Sequence, residues 1–138
     1  MKKIVLSLIF LISIILIVVF MNKSSENNKN EVKSKVEILQ ELSSKGDAKA
    51  QNELGDMYAN GLEVKQSYKE ALKLFESSAN KGNSQAQYNL GTMYQNAIGV
   101  EQNLKKAVRY YKLASNQGHI EAKESLEMLC EQDSTLCN

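Results

Sequence analysis

The chain of 138 residues carries one histidine, two cysteines and a formal net charge of only +1. Each scarcity excludes something. A single histidine, His119, with no second imidazole and no nucleophile close by in sequence, cannot supply a catalytic triad. One histidine and two cysteines are too few ligands for a metal site of the usual kind. A charge so near zero gives no electrostatic reason to expect a nucleic acid partner. The H-E-x-x-H pair, the G-x-S-x-G elbow and a phosphate-cradling glycine loop are all missing. No catalytic residue and no cofactor are therefore expected.

What the chain does have begins with an apolar run. After Lys2 and Lys3, residues 4–21 (IVLSLIFLISIILIVVFM) hold no charge. Eighteen helical residues span about 27 Å, close to a hydrocarbon core of about 30 Å. The run is either an uncleaved signal anchor over residues 1–21 or a cleaved signal peptide. A signal peptide has an apolar region of about 7–15 residues and a small-x-small cleavage site. Here the run is longer, and Phe20, Met21, Asn22 and Lys23 close it without such a site, which favours the anchor. Lys2 and Lys3 precede the run and only Lys23 follows closely, a bias that keeps the N-terminus in the cytoplasm. Either way residue 22 onward is expected outside the cytoplasm, in a bacterial periplasm or at the cell surface, and secreted if the signal is cut. Residues 22–30 (NKSSENNKN) have no large apolar side chain and read as a flexible tether. From Glu31 on, 13 Lys+Arg face 15 Asp+Glu, so the exported part is neither a polybasic patch nor an acidic tail.

The segment NELGDMYANG at residues 52–61 returns 36 residues later as YNLGTMYQNA. Laid over each other without a gap, residues 46–81 and 82–117 agree at 13 of 36 positions, and the register continues into Gly118, Ala122 and Leu126. A fixed period of this length marks a stacked array in place of a closed globular core. Within each unit the apolar spacing is helical. Ala50, Leu54, Met57 and Tyr58 form one stripe; Tyr68, Ala71, Leu72 and Phe75 form a second, repeated by Leu104, Ala107, Val108 and Tyr111. Ser67 stands three residues before Glu70, as in a capping box. Asp47, Asn83 and Asn103 occupy N-cap positions, and His119 falls at the place of Asp47 and Asn83, which makes it a helix-start residue. Gly46, Gly82 and Gly118 follow helix ends, where the left-handed conformation suits glycine. Gly55 and Gly91 sit inside helices, at a cost of about 1 kcal/mol each relative to alanine. The expected compensation is a neighbouring helix crossing so closely that a Cβ would clash.

These residues resemble the Sel-one-like repeat family, a relative of the tetratricopeptide repeat. The family pattern, roughly A-x-x-x-L-G-x-x-Y, then G-V, K-A, paired small residues and G, is met by Ala50, Leu54, Gly55, Tyr58, Val64, Ala71, Ser78-Ala79 and Gly82. It is met again by Ala86, Leu90, Gly91, Tyr94, Gly99-Val100, Lys106-Ala107, Ala114-Ser115 and Gly118. The resemblance implies an all-α, right-handed solenoid of antiparallel helix pairs, about six helices over residues 31–131. Full repeats would cover 46–81 and 82–117, half-repeats 31–45 and 118–131, with a tail at 132–138. Glu63 stands where glycine is usual and Glu70 where lysine is usual, which bears on the geometry of the first hairpin loop. Val36, Leu39 and Leu42 keep the second-helix stripe in the leading half-repeat, but Lys35 takes the place of Ala71. Glu127 takes the place of the glycine in the trailing half-repeat. Polar replacements confined to the two ends suit helices with one face uncovered, and suggest a complete array.

Some members of this family carry a β-lactamase label, so the S-x-x-K match at Ser78 to Lys81 has to be weighed. That serine needs a helix start plus S-D-N and K-T-G companions. Ser78 falls at a helix end and neither companion exists. More informative is where the units differ. Asn52, Asp56 and Ala59 become Tyr88, Thr92 and Gln95, away from the apolar stripe. In solenoids of the family the first helices line a concave binding side, so Asn52, Asp56, Tyr88, Thr92 and Gln95 form a candidate partner face. Tyr88 is a candidate anchor for the partner; the alternative is an ordinary solvated face. Gly55, Tyr58, Gly91 and Tyr94 are read as repeat packing. Cys130 and Cys137, exported and with six residues between them, allow a turn that brings their Cα atoms within about 6 Å; they are either a disulfide or a buried thiol beside a frayed tail. The expected function is a membrane-anchored, exported scaffold that binds an unidentified protein or peptide. The alternatives are a β-lactamase-like hydrolase and a structural envelope element with no discrete ligand.

Overall fold

The computed structural model describes residues 14–17 and 33–137. Residues 14–17 are helical. The rest of the expected anchor (1–21) and the whole tether (22–30) lie outside the described residues. Among the described residues no helix is long and apolar enough to cross a membrane.

From Ser34 on, the chain forms a second unit of six helices: α1 (Lys35–Ser44), α2 (Ala48–Asn60), α3 (Tyr68–Asn80), α4 (Ser84–Asn96), α5 (Leu104–Ser115) and α6 (Ile120–Gln132). A short 3-10 turn, Ser134–Leu136, ends it. Among the described residues there is no strand. Each helix packs on the next in the chain, and α4 also touches α6. Packing that follows chain order is the physics of a repeat array, in which each unit is stabilised by its neighbours.

Each helix start is closed by a side chain. Asp47, Asn83, Asn103 and His119 accept from the amides of Ala50, Ala86, Lys106 and Ala122. Ser67 accepts from the Glu70 amide, but the expected capping box stays half made: the Ser67 amide donates to the Tyr58 carbonyl at 2.9 Å, and the Glu70 carboxylate pairs with Lys73 at 3.1 Å. The complete box is at Ser34 and Glu37, ahead of α1. At the other ends Gly46, Gly82 and Gly118 hold φ of +87°, +86° and +85°.

The hairpin loops after α2 and α4 each contain two left-handed residues. In the first they are Gly61 and Glu63, in the second Ala97 and Gly99. Glu63 adopts the conformation of Gly99, so its departure from the family pattern leaves the loop geometry intact. The left-handed region costs a non-glycine residue about 1–2 kcal/mol. Each loop bears that at one of its two positions and relieves it with glycine at the other. Gln66 Nε2 donates to the Ala59 carbonyl (2.8 Å) and Gln102 Nε2 to the Gln95 carbonyl (2.9 Å), tying both loops back in the same way.

The core is layered. Leu39, Ala50, Leu54 and Met57 form one cluster between α1 and α2. Phe75, Ala79, Ala86, Leu90 and Met93 form the next, between α3 and α4. Val108, Tyr111, Ala114, Ala122 and Leu129 form the third, between α5 and α6. Leu39 fills in α1 the place that Phe75 and Tyr111 fill later, while Leu42, expected on the same stripe, is 39% exposed. Lys35, in the place of Ala71, is exposed and lies 3.9 Å from Glu53. Two buried glutamines tie neighbouring helices within the layers: Gln51 of α2 donates to the Ser43 carbonyl of α1 and Gln87 of α4 to the Ala79 carbonyl of α3, both at 3.2 Å.

Gly55 and Gly91 do permit a close approach, of a different kind from a backbone crossing. A Cβ built at Gly55 would lie 2.7 Å from the ring of Phe75, and one at Gly91 would lie 2.5 Å from the ring of Tyr111. Each helical pair closes by laying an aromatic ring of its second helix on the glycine of its first. At the C-terminus Cys130 and Cys137 are joined in a disulfide, with Cα atoms 5.7 Å apart. Leu136 and Cys137 pack on the last core layer, and Lys112 Nζ donates to the Cys137 carbonyl at 3.1 Å. The tail folds back against α5 and α6.

Candidate functional site

The candidate partner face lies on α2 and α4, and the structure divides it in two. In the first half, Asn52 and Asp56 are one turn apart on α2, and Asn89 reaches them from α4. Asn52 Nδ2 donates to Asp56 Oδ2 (3.2 Å), while Asn89 Nδ2 lies 3.0 Å from Asp56 Oδ1 and 3.2 Å from Asn52 Oδ1. Asn52 is 7% exposed, so it orients its neighbours from beneath the surface. Burial holds the Asp56 carboxyl above the usual carboxylate range, countered by hydrogen bonds from Asn89 and Asn52 and reinforced by the charge of Glu53. Beside it opens a cleft of about 270 Å³. Its apolar lining includes Tyr68, Phe75, Met93 and Ile98, and its polar lining Asp56, Asn60, Asn89 and Thr92.

In the second half, the same positions meet each other. Tyr111 takes the place of Phe75, and its hydroxyl donates to Gln95 Oε1 (2.6 Å) and lies 3.3 Å from Thr92 Oγ1. Burial pushes the Tyr111 phenol up from its ordinary value, which keeps the proton that Gln95 accepts. Tyr88 is half-buried against the last core layer. Its ring stacks on His119 (4.8 Å between centroids) and tilts against Tyr111 (5.7 Å). His119 caps α6 through Nδ1 and meets Gln85 Oε1 through Nε2 at 3.1 Å. Tyr88, Thr92 and Gln95 thus join α4, α5 and α6, while Asp56 and Asn89 border an open cleft with Asn52 buried behind them.

The remaining singled-out residues are structural. Tyr58 packs against both the first and the second core clusters, and Tyr94 stacks on Tyr110 at 5.9 Å with the Lys106 ammonium 4.7 Å from its ring. Ser78 is fully buried and its hydroxyl donates to the Ala48 carbonyl at 2.6 Å. Lys81 Nζ donates to the Gly46 carbonyl and to Gln51 Oε1. Gln117, at the place of Lys81 in the next repeat, donates to Gln87 in the same way. The S-x-x-K pair is therefore repeat packing, with no hydroxyl free to attack a substrate. No group of three or more His, Cys, Asp or Glu suited to a metal occurs among the described residues. Sequence reasoning missed Asn89, which reaches Asp56 across 33 residues, and the glutamine pair Gln51 and Gln87. The glutamines were legible, since an identical polar residue inside both helices signals a shared packing task.

The Sel1 repeat family model matches residues 48–83 and 84–119, two units of the 36-residue period, in a frame two residues later than the glycine-to-glycine division. Among solved structures, the chain is similar to c5321, described as a protective antigen present in uropathogenic Escherichia coli strains and displaying an SLR fold. Identity is 30% and the TM-score 0.68, over 71% of this chain and 21% of that one. It is also similar to a Sel1 repeat protein from Oxalobacter formigenes, at 27% identity and TM-score 0.63, over 66% of this chain and 37% of that one. The chain thus spans only a fifth to two fifths of these relatives' length. No protein among the curated ones matches. With its period, its helix pairs, its glycine-bedded aromatics and the matched family model all in agreement, the chain is a member of the Sel1 repeat family.

Proposed function

We propose that the chain is an exported, membrane-anchored repeat scaffold that binds a protein or peptide on the face of α2 and α4. The observation that carries this reading is the open cleft between those helices, whose polar lining is held in place by Asn52 and Asn89 and is not used up in packing. Stacked helix pairs offer extended surface and no enclosed pocket for chemistry, which suits a binder better than an enzyme. Anchoring is supported by the uncharged run at residues 4–21 behind Lys2 and Lys3, and by a closing sequence without a cleavage site. The Cys130–Cys137 bond accords with an oxidising compartment.

Two experiments test the reading. Immobilised full-length chain should retain a discrete protein from envelope extracts, and Asp56→Asn should release it. Retention of nothing beyond the background would leave a purely structural envelope role. The mature protein should keep Met1 and fractionate with membranes, whereas an N-terminus beginning after Met21 would show a cleaved signal. A hydrolase reading has no support in the buried Ser78, and no β-lactam turnover is expected.

A further inference from the structure

We infer that the cleft between α2 and α4 receives the side chain of a lysine or arginine from an extended segment of the partner, with Asp56 as its charge partner. This rests on the reading of the face as a peptide-binding surface, and gives it a chemistry.

The shape of the cleft suits an amphipathic cation. The ring of Tyr68, 39% exposed, and the half-buried Ile98 offer apolar area to a methylene stem, with Phe75 and Met93 buried beneath as the floor. Asp56 stands among the polar lining with Asn60, Asn89 and Thr92, acceptors and donors for an ammonium or guanidinium head. The carboxylate is already aimed. Each oxygen takes one amide donor, Oδ2 from Asn52 and Oδ1 from Asn89, which leaves further lone pairs free on both. No lysine, arginine or histidine lines the cleft, and among the described residues no cation lies within ion-pair distance of Asp56. The nearest acid, Glu53, adds negative potential from one turn away on α2. An internal cation would have been the cheap way to settle a partly buried carboxylate; here a partner has to supply it.

The second repeat shows what closing such a site takes. Thr92 replaces Asp56, Gln95 replaces Ala59 and Tyr111 replaces Phe75, and the three bond to one another. The charge has gone, and the polar groups have found partners inside the fold. The first repeat has the charge and lacks both the bulk of Gln95 and the tyrosine hydroxyl.

The test is a selection of random dodecapeptides on the full-length chain in detergent, followed by affinity measurement on variants. Selected peptides should be enriched in lysine or arginine next to small or apolar residues, and should bind more weakly as salt rises. Asp56→Asn should weaken them about tenfold or more, as expected for loss of one partner of a partly desolvated charge pair. Ala59→Gln with Phe75→Tyr, which copies the second repeat and leaves Asp56 in place, should weaken them comparably. Glu53→Gln, outside the cleft, should change affinity by less than about twofold, as for an exposed charge. Selected peptides without enrichment in cations, or with equal affinity for parent and Asp56→Asn, would overturn the inference and leave peptide binding standing. Failure to select any peptide would overturn both.

Discussion

Two repeats built on one frame end in different surfaces. Both lay an aromatic ring on a mid-helix glycine, Phe75 on Gly55 and Tyr111 on Gly91. Both tie their loop glutamine to the same carbonyl and cap the same helix starts. They part at the ring's far end. Phe75 lines an open cleft beside Asp56, while the Tyr111 hydroxyl is held by Gln95 and Thr92. A few atoms at three positions decide whether a repeat closes its polar groups on one another or leaves a carboxyl at the edge of an open cleft. The buried positions that agree between the units, such as Leu54 and Leu90, carry packing, and the differences at Asp56, Ala59 and Phe75 carry the distinction between closed and open.

The largest expected effect tests that contrast directly. Gly91→Ala should cost about 3 kcal/mol through overpacking, because the buried Tyr111 ring is tethered and cannot withdraw. Gly55→Ala should cost nearer 1 kcal/mol, because Phe75 has an open cleft to shift into and alanine is the better helix former. Urea denaturation of the two variants measures both, and equal costs would break the comparison. Next is the C-terminal end. Cys130→Ser should remove up to about 2–3 kcal/mol, the chain-entropy value of so short a loop. Its effect should be confined to α6 and the tail, and hydrogen exchange should leave α2 and α3 protected as before. Uniform loss of protection would show a cooperative domain in place of a stack. Tyr111→Phe, which makes the second repeat resemble the first, should cost about 1–2 kcal/mol for its two hydrogen bonds.

The smallest effect concerns pH. The folded carboxyl of Asp56 is held above 3.8, chiefly by burial. Across the window between 3.8 and the raised value, the folded state binds more protons than the unfolded one, so stability contributed by this group falls as pH rises. Asp56→Asn should lack that slope. Relative to the parent it should gain stability as pH climbs through the window, while losing its partner. A variant that loses stability relative to the parent over the same climb would place Asp56 in a stabilising role.

Much of the fold was legible because it repeats locally. The period of 36, the N-caps at Asp47, Asn83 and Asn103, and the glycines at 46, 82 and 118 all act within a few residues of themselves, and each appears where the pattern put it. The site was legible only in part. Asp56 and Thr92 stood out as differences, but the hydrogen bond from Asn89 depends on which helices stack, and no local signal carries that. Tyr88 looked like a free aromatic on a polar face. Its stacking on His119 and Tyr111 arises because the half-repeat that follows brings a ring to meet it. A coupled signal was present all the same. Phe75 to Tyr111, Ala59 to Gln95 and Asp56 to Thr92 change together, as the parts of one site do.

The measurement that bears most directly on the open and closed repeats is an amide-resolved NMR titration of the full-length chain with n-butylguanidinium, a free arginine-like head and stem. The account predicts saturable shifts at Asn60, Asn89 and Ile98, around the cleft beside Asp56, and none at Asn96 and Ser125, which stand one period on, beside Thr92. Equal shifts at both sets, or none at either, would contradict it.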